Sequence, residues 1–518
     1  MKCDTKSFHL NRDLTWDQLI DRFPGPVDRE PPREMVRTFY DSFDWRLYKA
    51  GTVLEEQCCD GESRILWRRL KSVVPLHQIT GTVPRFAREL VPESLGHRLE
   101  SVMGVRAFLP RLVLNSAIQF LDLRNGDGKR VVRLCLEENT VSRSGEGKEL
   151  ILPRRVEIIP LRGHKGVRRR LVRDLKSDVS LTPASDDVLV EGLRAVGERP
   201  GDYSSRIRIP LSRKTSVGEA LRVILLHLLN IMEANERGVC SDTDPEFLHD
   251  FRVAVRRTRA ALGQVKGGLP KEFLKRFRPE FAWLGAITGP TRDLDVYLLH
   301  YDTYRLSLAP KFHDKLDPLR RYLVGQQKKE QAALAGELAG ERYGTLVREW
   351  RDFLERADTR TMAVKATRPA KEAARGRIWK LYRRTLKEGE AIRGTSPPEQ
   401  LHELRKTCKK LRYLLEFFQS LFPADEIGPL IKALKVLQDN MGAFQDLQVQ
   451  STFLRRISGE MGREAATPPG TLAAMGLLVA KLEEEQRKAR QAFEKRFRRF
   501  SRPEHARLFK KLFSPDHA

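Results

Sequence analysis

The sequence predicts an α+β chain in two parts, a strand-rich first part and an all-α second part. Three observations carry this. Short alternating runs, Arg130-Val-Val-Arg-Leu-Cys-Leu136 and Arg155-Val-Glu-Ile-Ile159, occur in the first part among frequent Gly and Pro. From Ser216 on, apolar residues recur at helical spacing over long stretches. Charge divides at the same place: residues 1–200 hold 35 basic and 29 acidic side chains, and residues 201–518 hold 60 and 40.

The 518 residues carry a net charge of +26, which points to a polyanionic partner without naming it. At 40% hydrophobic the chain can bury a sizeable core, which excludes wholesale disorder. Six cysteines with no C-x-x-C exclude a disulfide scaffold and argue against structural zinc. No apolar run follows Met1-Lys2-Cys3-Asp4, so no signal peptide is read. The most apolar stretches, Val223–Met232 and Leu472–Ala480, fall well short of the ~20 residues a membrane span needs. The expectation is a soluble, cytoplasmic protein without a membrane partner.

Taken in order, the first part should hold helix around Thr15–Arg22 and Arg85–Leu90, with strands and hairpins elsewhere. His164-Lys-Gly-Val-Arg-Arg-Arg-Leu171 reads as a solvated basic loop and strand. Gly197–Arg213 should be the join, with Ser204–Ile209 as a last strand. Domains are therefore expected at 1–205 and 215–518. Ser216-x-x-Glu219 is a capping box that opens a helix through Met232. Asp244-Pro245 and Pro397-Pro398 place Pro in the first turn of two further helices. Leu472–Phe500 should be one long helix ending in Lys495-Arg496-Phe497-Arg498-Arg499.

The strongest signal is an internal repeat. Leu248-His-Asp-Phe-Arg-Val-Ala-Val-Arg-Arg-Thr-Arg-Ala-Ala-Leu262 aligns with Leu401-His-Glu-Leu-Arg-Lys-Thr-Cys-Lys-Lys-Leu-Arg-Tyr-Leu-Leu415 at an offset of 153 residues. The offset persists without a gap: Pro245 meets Pro398, Pro270 meets Pro423, Gly289 meets Gly442, and Asp293 meets Asp446. This is a duplication, with halves at about 215–360 and 365–518.

In each block one stripe is apolar: Leu248, Phe251, Val255, Thr258 and Leu262, and Leu401, Leu404, Cys408, Leu411 and Leu415. The next positions form a second stripe roughly 100° round the helix. It reads His249, Arg252, Arg256 and Arg259 in the first block, flanked by Arg257. In the second it reads His402, Arg405, Lys409 and Arg412, flanked by Lys410. Like charges at this spacing cost a few tenths of a kcal/mol per pair. Two such stripes in one register, each led by His, suggest the walls of a single anion-binding groove. Arg offers phosphate a planar fork, Lys a point charge, and His a pH-sensitive contact.

These blocks resemble the CHAD family, the conserved histidine α-helical domain. Thr288-Gly-Pro-Thr-Arg-Asp-Leu-Asp-Val296 and Leu437-Gln-Asp-Asn-Met-Gly-Ala-Phe-Gln-Asp446 are similar to the family's segments after each motif. The resemblance implies two four-helix halves around a basic channel that binds inorganic polyphosphate, often on polyphosphate granules. It assigns binding to His249, Arg252, Arg256, Arg257, Arg259, His402, Arg405, Lys409, Lys410 and Arg412. Lys409 and Lys410 stand where the first block has Arg, which keeps charge and loses bidentate geometry.

Phe39-Tyr-Asp-Ser-Phe-Asp-Trp-Arg-Leu-Tyr-Lys-Ala-Gly51 resembles an early segment of the CYTH family, the triphosphate tunnel metalloenzymes. That resemblance implies a closed antiparallel barrel around 1–205. The family's Glu-x-Glu-x-Lys strand is missing from Phe8-His-Leu-Asn-Arg12. Its Arg-x-Arg is missing from Val53-Leu-Glu-Glu-Gln57, and only Glu157 remains of a later acidic strand. Without clustered carboxylates a hard cation has no ligands. A degenerate barrel without catalysis is expected.

His249-Asp250 as a metal phosphohydrolase pair is disfavoured by the surrounding arginines. Gly145-Glu-Gly-Lys148 is followed by Glu and is no P-loop. The expected function is non-enzymatic polyphosphate binding without cofactor or metal. The alternatives are nucleic-acid binding and a metal-dependent triphosphatase in the first part.

Overall fold

The computed structural model describes residues 6–11, 13–23, 25–142, 149–159, 161, 163–265, 267–356, 366–463 and 467–515. Met1–Asp4, Arg12 and the Gly145–Lys148 segment weighed above lie outside the described residues. The chain forms two compact units, Met1–Ser204 and Ser205–Ala518.

The first unit is one antiparallel sheet. Its strands are β1 (Lys6–Leu10), β2 (Val27–Arg29), β3 (Arg33–Asp41), β4 (Thr52–Cys59), β5 (Glu62–Arg69), β6 (Pro75–Thr80), β7 (Leu109–Arg124), β8 (Arg130–Ser142), β9 (Glu149–Ile151), β10 (Arg155–Ile159) and β11 (Leu181–Pro183). Five α-helices accompany them: α1 (Trp16–Ile20), α2 (Arg46–Lys49), α3 (Glu93–Met103), α4 (Lys165–Ser177) and α5 (Val188–Ala195). Period-two alternation sorts the strands into two faces. One face is apolar. Phe8, Leu134, Leu136, Val156 and Ile158 pack under α1 and α4, and Leu54, Ile65 and Trp67 pack under α3.

The strand order is β11-β1-β10-β8-β7-β3-β4-β5-β6. This corrects the closed barrel: the described strands make an open sheet whose ends, β11 and β6, do not pair. Helix α5 explains how the ends are held. It lies on the second face, where Val188, Leu189 and Leu193 pack on Phe39, Val53, Leu112 and Leu114. Its N-cap Asp187 accepts two hydrogen bonds from Arg68 of β5, at 2.6 and 3.0 Å. Its Glu191 accepts from Arg155 of β10 at 2.9 Å and bonds His9 of β1 at 2.9 Å. Side chains of one helix thus tie together strands from the two ends.

Other local expectations also shift. The basic run after His164 is helix α4, because Leu171 and Leu175 recur one turn apart and bury against the sheet while Arg169, Arg170 and Arg173 face out. Around Arg85–Leu90 the chain makes only a 3-10 turn, Ala87–Glu89. The expected helix near Thr15 is α1; Thr15 Oγ1 accepts from the Gln18 N–H, and the Thr15 N–H donates back to Gln18 Oε1.

The second unit is all helix. Its members are α6 (Val217–Cys240), α7 (Pro245–Gln264), α8 (Lys271–Ile287), α9 (Gly289–Leu306), α10 (Asp317–Ala339), α11 (Glu341–Arg356), α12 (Ala370–Ala391), α13 (Pro398–Phe418), α14 (Ala424–Met461), α15 (Pro469–Phe500) and α16 (Pro503–Phe513). Ser216 caps α6 through the Glu219 N–H, and Asp244 caps α7 through the Glu246 and Phe247 N–H groups. The starts of α6 and α12, α7 and α13, and α8 and α14 lie 153 residues apart, as the repeat requires. The continuous α14 corresponds to two helices, α8 and α9. Pro290 stands where α14 has Ala443 and removes the N–H that would continue the ladder. The long tail helix is observed as α15.

Ser204–Ile209 is not a strand. Ile207 and Ile209 are buried, and the backbone finds side chains instead of a ladder. Arg257 donates to the Ser205 carbonyl at 2.7 Å, Gln419 donates to that of Ile207 at 2.9 Å, and the Leu211 N–H donates to Ser420 Oγ at 3.1 Å. Backbone groups satisfied in this way need no sheet partner.

Candidate functional site

The site grows from α7 and α13, which pack against each other in the helical unit. Each helix buries its apolar stripe: Leu248, Phe251, Val255 and Leu262, and Leu401, Leu404, Leu411 and Leu415. The polar stripe one position on therefore sits at the edge of the core. His249, Arg252, His402, Arg405, Lys409, Lys410 and Arg412 are half-buried there, and Arg256 and Arg259 are exposed.

The two stripes meet. Arg256 of α7 donates from Nε to the Tyr413 hydroxyl of α13 at 3.0 Å. Burial, together with Arg405 and Arg256, pushes Lys409 down to about 8. Burial lowers Arg252 to about 10, with Asp293 opposing and Arg256, Arg292 and Arg259 adding to the shift. Burial lowers Arg405 as well, and Arg256 again contributes. Arg256 is thus the neighbour common to cations of both stripes. Gathering guanidinium and ammonium groups at a half-buried place costs free energy, and only a carboxylate or a bound anion offsets it.

The repeat is visible in the contacts. His249 Nδ1 lies 3.1 Å from Arg292 Nη2, and His402 Nδ1 lies 2.8 Å from Gln445 Oε1. Arg252 is attracted by Asp293, and Arg405 pairs with Asp446 at 3.5 Å. The partners in each half are related by the same offset of 153. The halves diverge where the helix breaks. Arg252 Nη1 donates to Thr288 Oγ1 at 2.8 Å and to the Gly285 carbonyl at 3.3 Å, beside the gap between α8 and α9. A Cβ on Gly285 would lie 2.7 Å from Arg259 Nη1, so this glycine makes room for the Arg259 guanidinium.

Some of the predicted residues are engaged by carboxylates. Arg257 pairs with Glu416 at 3.1 Å and holds the Ser205 carbonyl. Arg412 pairs with the same carboxylate at 3.3 Å. Lys410 lies near enough to Glu403 to lower its pKa, after the Lys406 hydrogen bond. Arg292, Asp293, Tyr413, Glu416, Gln445 and Asp446 complete the arrangement. Sequence reasoning aligned Asp293 with Asp446 and assigned no binding part to Arg292, Tyr413 or Gln445. The repeat offset carried a signal for them: Arg292 and Gln445 each follow their histidine by 43 residues.

Asp295 is buried, accepts from Gln327 at 3.2 Å and is pushed up to about 6 by burial. Asp250 is also buried. Among the described residues no group of three or more His, Cys, Asp or Glu is placed to hold a metal ion.

Residues 223–455 match the family model of the CHAD domain. The match lies within the helical unit. Both motif blocks, and the segments after them, fall inside it. Among solved structures the chain is similar to the crystal structure of the CHAD domain from the plant Ricinus communis, at 24% identity over 57% of this chain and 96% of that one, with a TM-score of 0.47. It is also similar to PptA from Streptomyces chartreusis, at 19% identity over 55% of this chain and all of that one, with a TM-score of 0.41. No curated protein matches.

The first unit has its own polar face, opposite its apolar one. The sheet brings Glu55, Glu137 and Glu157 to this face. Each is bound to arginine. Glu55 accepts from Arg37 at 2.6 Å and from Arg68 at 3.1 Å, Glu137 from Arg37 at 3.2 Å, and Glu157 from Arg155 at 2.8 Å. Burial opposes ionisation of Glu55, yet Arg37 and Arg68 hold it down at about 2. Burial and Glu137 push Glu157 up to about 7. No helix among the described residues is long and apolar enough to cross a membrane.

Proposed function

We propose that the helical unit binds inorganic polyphosphate without catalysis, in a groove walled by the α7 and α13 stripes. The single observation that carries the reading is the convergence of the two stripes on Arg256, beside Tyr413, Arg405 and Lys409. Two rows of cations sharing one neighbour suit a ligand of closely spaced negative charges. His249, Arg252, Arg256, Arg259, His402, Arg405 and Lys409 are the contacts. Lys410 adds charge at the edge. Arg257 and Arg412 shape the wall through Glu416. Successive phosphates displace counterions as they meet these side chains, so affinity falls steeply with salt. Each helical set is taken as one four-helix half, and polyphosphate granules in the cytoplasm are the place such a protein would work.

The few aromatic side chains in the motif blocks favour phosphates over bases. Tyr413 is buried and holds Arg256, which leaves it unsuited to stacking. The first unit is read as a scaffold, because its arginines already hold the carboxylates that a cation would need.

A mobility shift with long-chain polyphosphate tests the reading, with single-stranded nucleic acid as competitor at equal phosphate concentration. Binding that survives the competitor, and is lost when Arg252, Arg256, Arg405 and Lys409 are replaced by Ala, is the expected result. Displacement by nucleic acid, or an unchanged shift in the variant, overturns it. Phosphate release by residues 1–204 with Mg²⁺ or Mn²⁺ would overturn the scaffold reading.

A further inference from the structure

We propose that the two motif histidines are chemically unequal, and that Arg292 and Gln445 make them so. His249 is a fixed neutral N–H donor, and His402 is the groove's proton-gaining anion contact. The statement about anion contact rests on the polyphosphate reading above; the statement about protonation does not.

The two rings occupy equivalent places but meet different partners at Nδ1. Arg292 Nη2 lies 3.1 Å from His249 Nδ1. A guanidinium has donors only. The Nδ1 of His249 must therefore accept, and its proton sits on Nε2. Charging the ring would put a second proton on Nδ1, break that bond and set two cations in contact. Arg292 is fixed for the task, since its other terminal nitrogen donates to the Pro245 carbonyl at 3.1 Å.

Gln445 Oε1 lies 2.8 Å from His402 Nδ1. An amide oxygen accepts, so this bond is kept when the ring becomes imidazolium. A side-chain amide carries both a donor and an acceptor, so either protonation state of His402 finds a partner. Arg292 can serve only one.

The surrounding charges point the same way. His249 is faced by Arg292 from α9 and by Arg256, Glu246 and Asp250 from its own helix. Burial and then Arg292 hold its pKa below the ordinary histidine range. His402 is faced by Gln445 from α14. Asp446, next along α14, is engaged by Arg405 at 3.5 Å. Glu403, on its own helix, is paired with Lys406 at 2.7 Å. As pH falls, the partner of His402 accommodates a second ring proton and the partner of His249 does not. Lys409, at about 8, is mostly charged below pH 7.5.

The test follows histidine ring resonances of the full chain against pH without ligand, assigned with His249→Gln and His402→Gln. His402 should take up its second ring proton at a higher pH than His249 does. Arg292→Gln should make His249 titrate like His402, and Gln445→Arg should silence His402. Equal titration of the two rings in the unaltered protein overturns the proposal, as does an Arg292→Gln variant with no effect on His249. Affinity for long-chain polyphosphate at fixed salt gives the second arm. A gain in affinity between pH 7.5 and 6.0 is expected, because a bound anion favours the charged ring. The gain should vanish in His402→Gln and persist in His249→Gln, and persistence in His402→Gln overturns the assignment of the pH response. Inequivalent titrations with no polyphosphate binding would instead overturn the ligand reading and leave the inequality of the rings standing.

Discussion

Lys409 shows what a partly buried cation costs the fold that carries it. Its folded pKa of about 8 lies below the ordinary lysine value. Between those values the unfolded chain holds the proton and the folded protein does not, so stability rises with pH across that interval. Below about pH 8 both states are charged and the full penalty of burying the ammonium is present. Lys409→Met should therefore raise unliganded stability at pH 7 by about 1 kcal/mol and weaken polyphosphate binding several-fold. Thermal melts with and without polyphosphate would show the opposite shifts. Gly285→Ala should leave the melting temperature nearly unchanged, because the Cβ meets only the movable end of Arg259, yet lower affinity by displacing that guanidinium. At this scale the stripes were legible, because 3.6-residue spacing makes a helical face readable from one segment. The division of labour within them was not. That Glu416 takes up Arg257 and Arg412, and that Tyr413 takes up Arg256, depends on how α7 crosses α13, which neither helix encodes alone.

Among elements, the break between α8 and α9 and the clasp of α5 matter most. Pro290 made the first legible in principle, since the aligned repeat places Ala443 opposite it. Its result, a Thr288 hydroxyl and a Gly285 carbonyl offered to Arg252, needed three dimensions. Helix α5 joins strands far apart in sheet order through Asp187 and Glu191. Asp187→Asn keeps an N-cap oxygen but leaves buried Arg68 with only Glu55, a carboxylate it shares with Arg37. It should cost about 3 kcal/mol, with Asp187→Ala costing about 1 kcal/mol more for the lost cap. Denaturant unfolding of the two variants would separate the contributions. Helix α4 was misread because a run of arginines hid the Leu171 and Leu175 spacing.

For the whole molecule, the duplication was the most informative feature, and the second unit was readable in helix starts and register. The first was readable in its strands but not in its closure, because which strand ends meet is settled by distant pairing rather than local pattern. Two whole-molecule responses follow. Salt titration of polyphosphate binding should give a steep log–log slope that flattens by roughly one for each contact cation removed. The first unit should weaken in acid. Glu55, held at about 2, and Asp187, held down by Arg68 against its burial, contribute stability that is fully present above the usual carboxylate range. That stability is lost as pH falls through their folded values. Circular dichroism of residues 1–204 between pH 5 and pH 2 would follow it.

The clasp also decides where the chain can be cut. A fragment ending after β11 at Pro183 would contain the whole sheet yet none of α5, stripping Arg68 and Arg155 of Asp187 and Glu191 and uncovering the apolar patch of Phe39, Val53, Leu112 and Leu114. Such a piece should aggregate, while one extended through Ser204 should remain monomeric. The last twenty-odd residues of the first unit act as its latch, and strand count alone is a poor guide to where this unit ends.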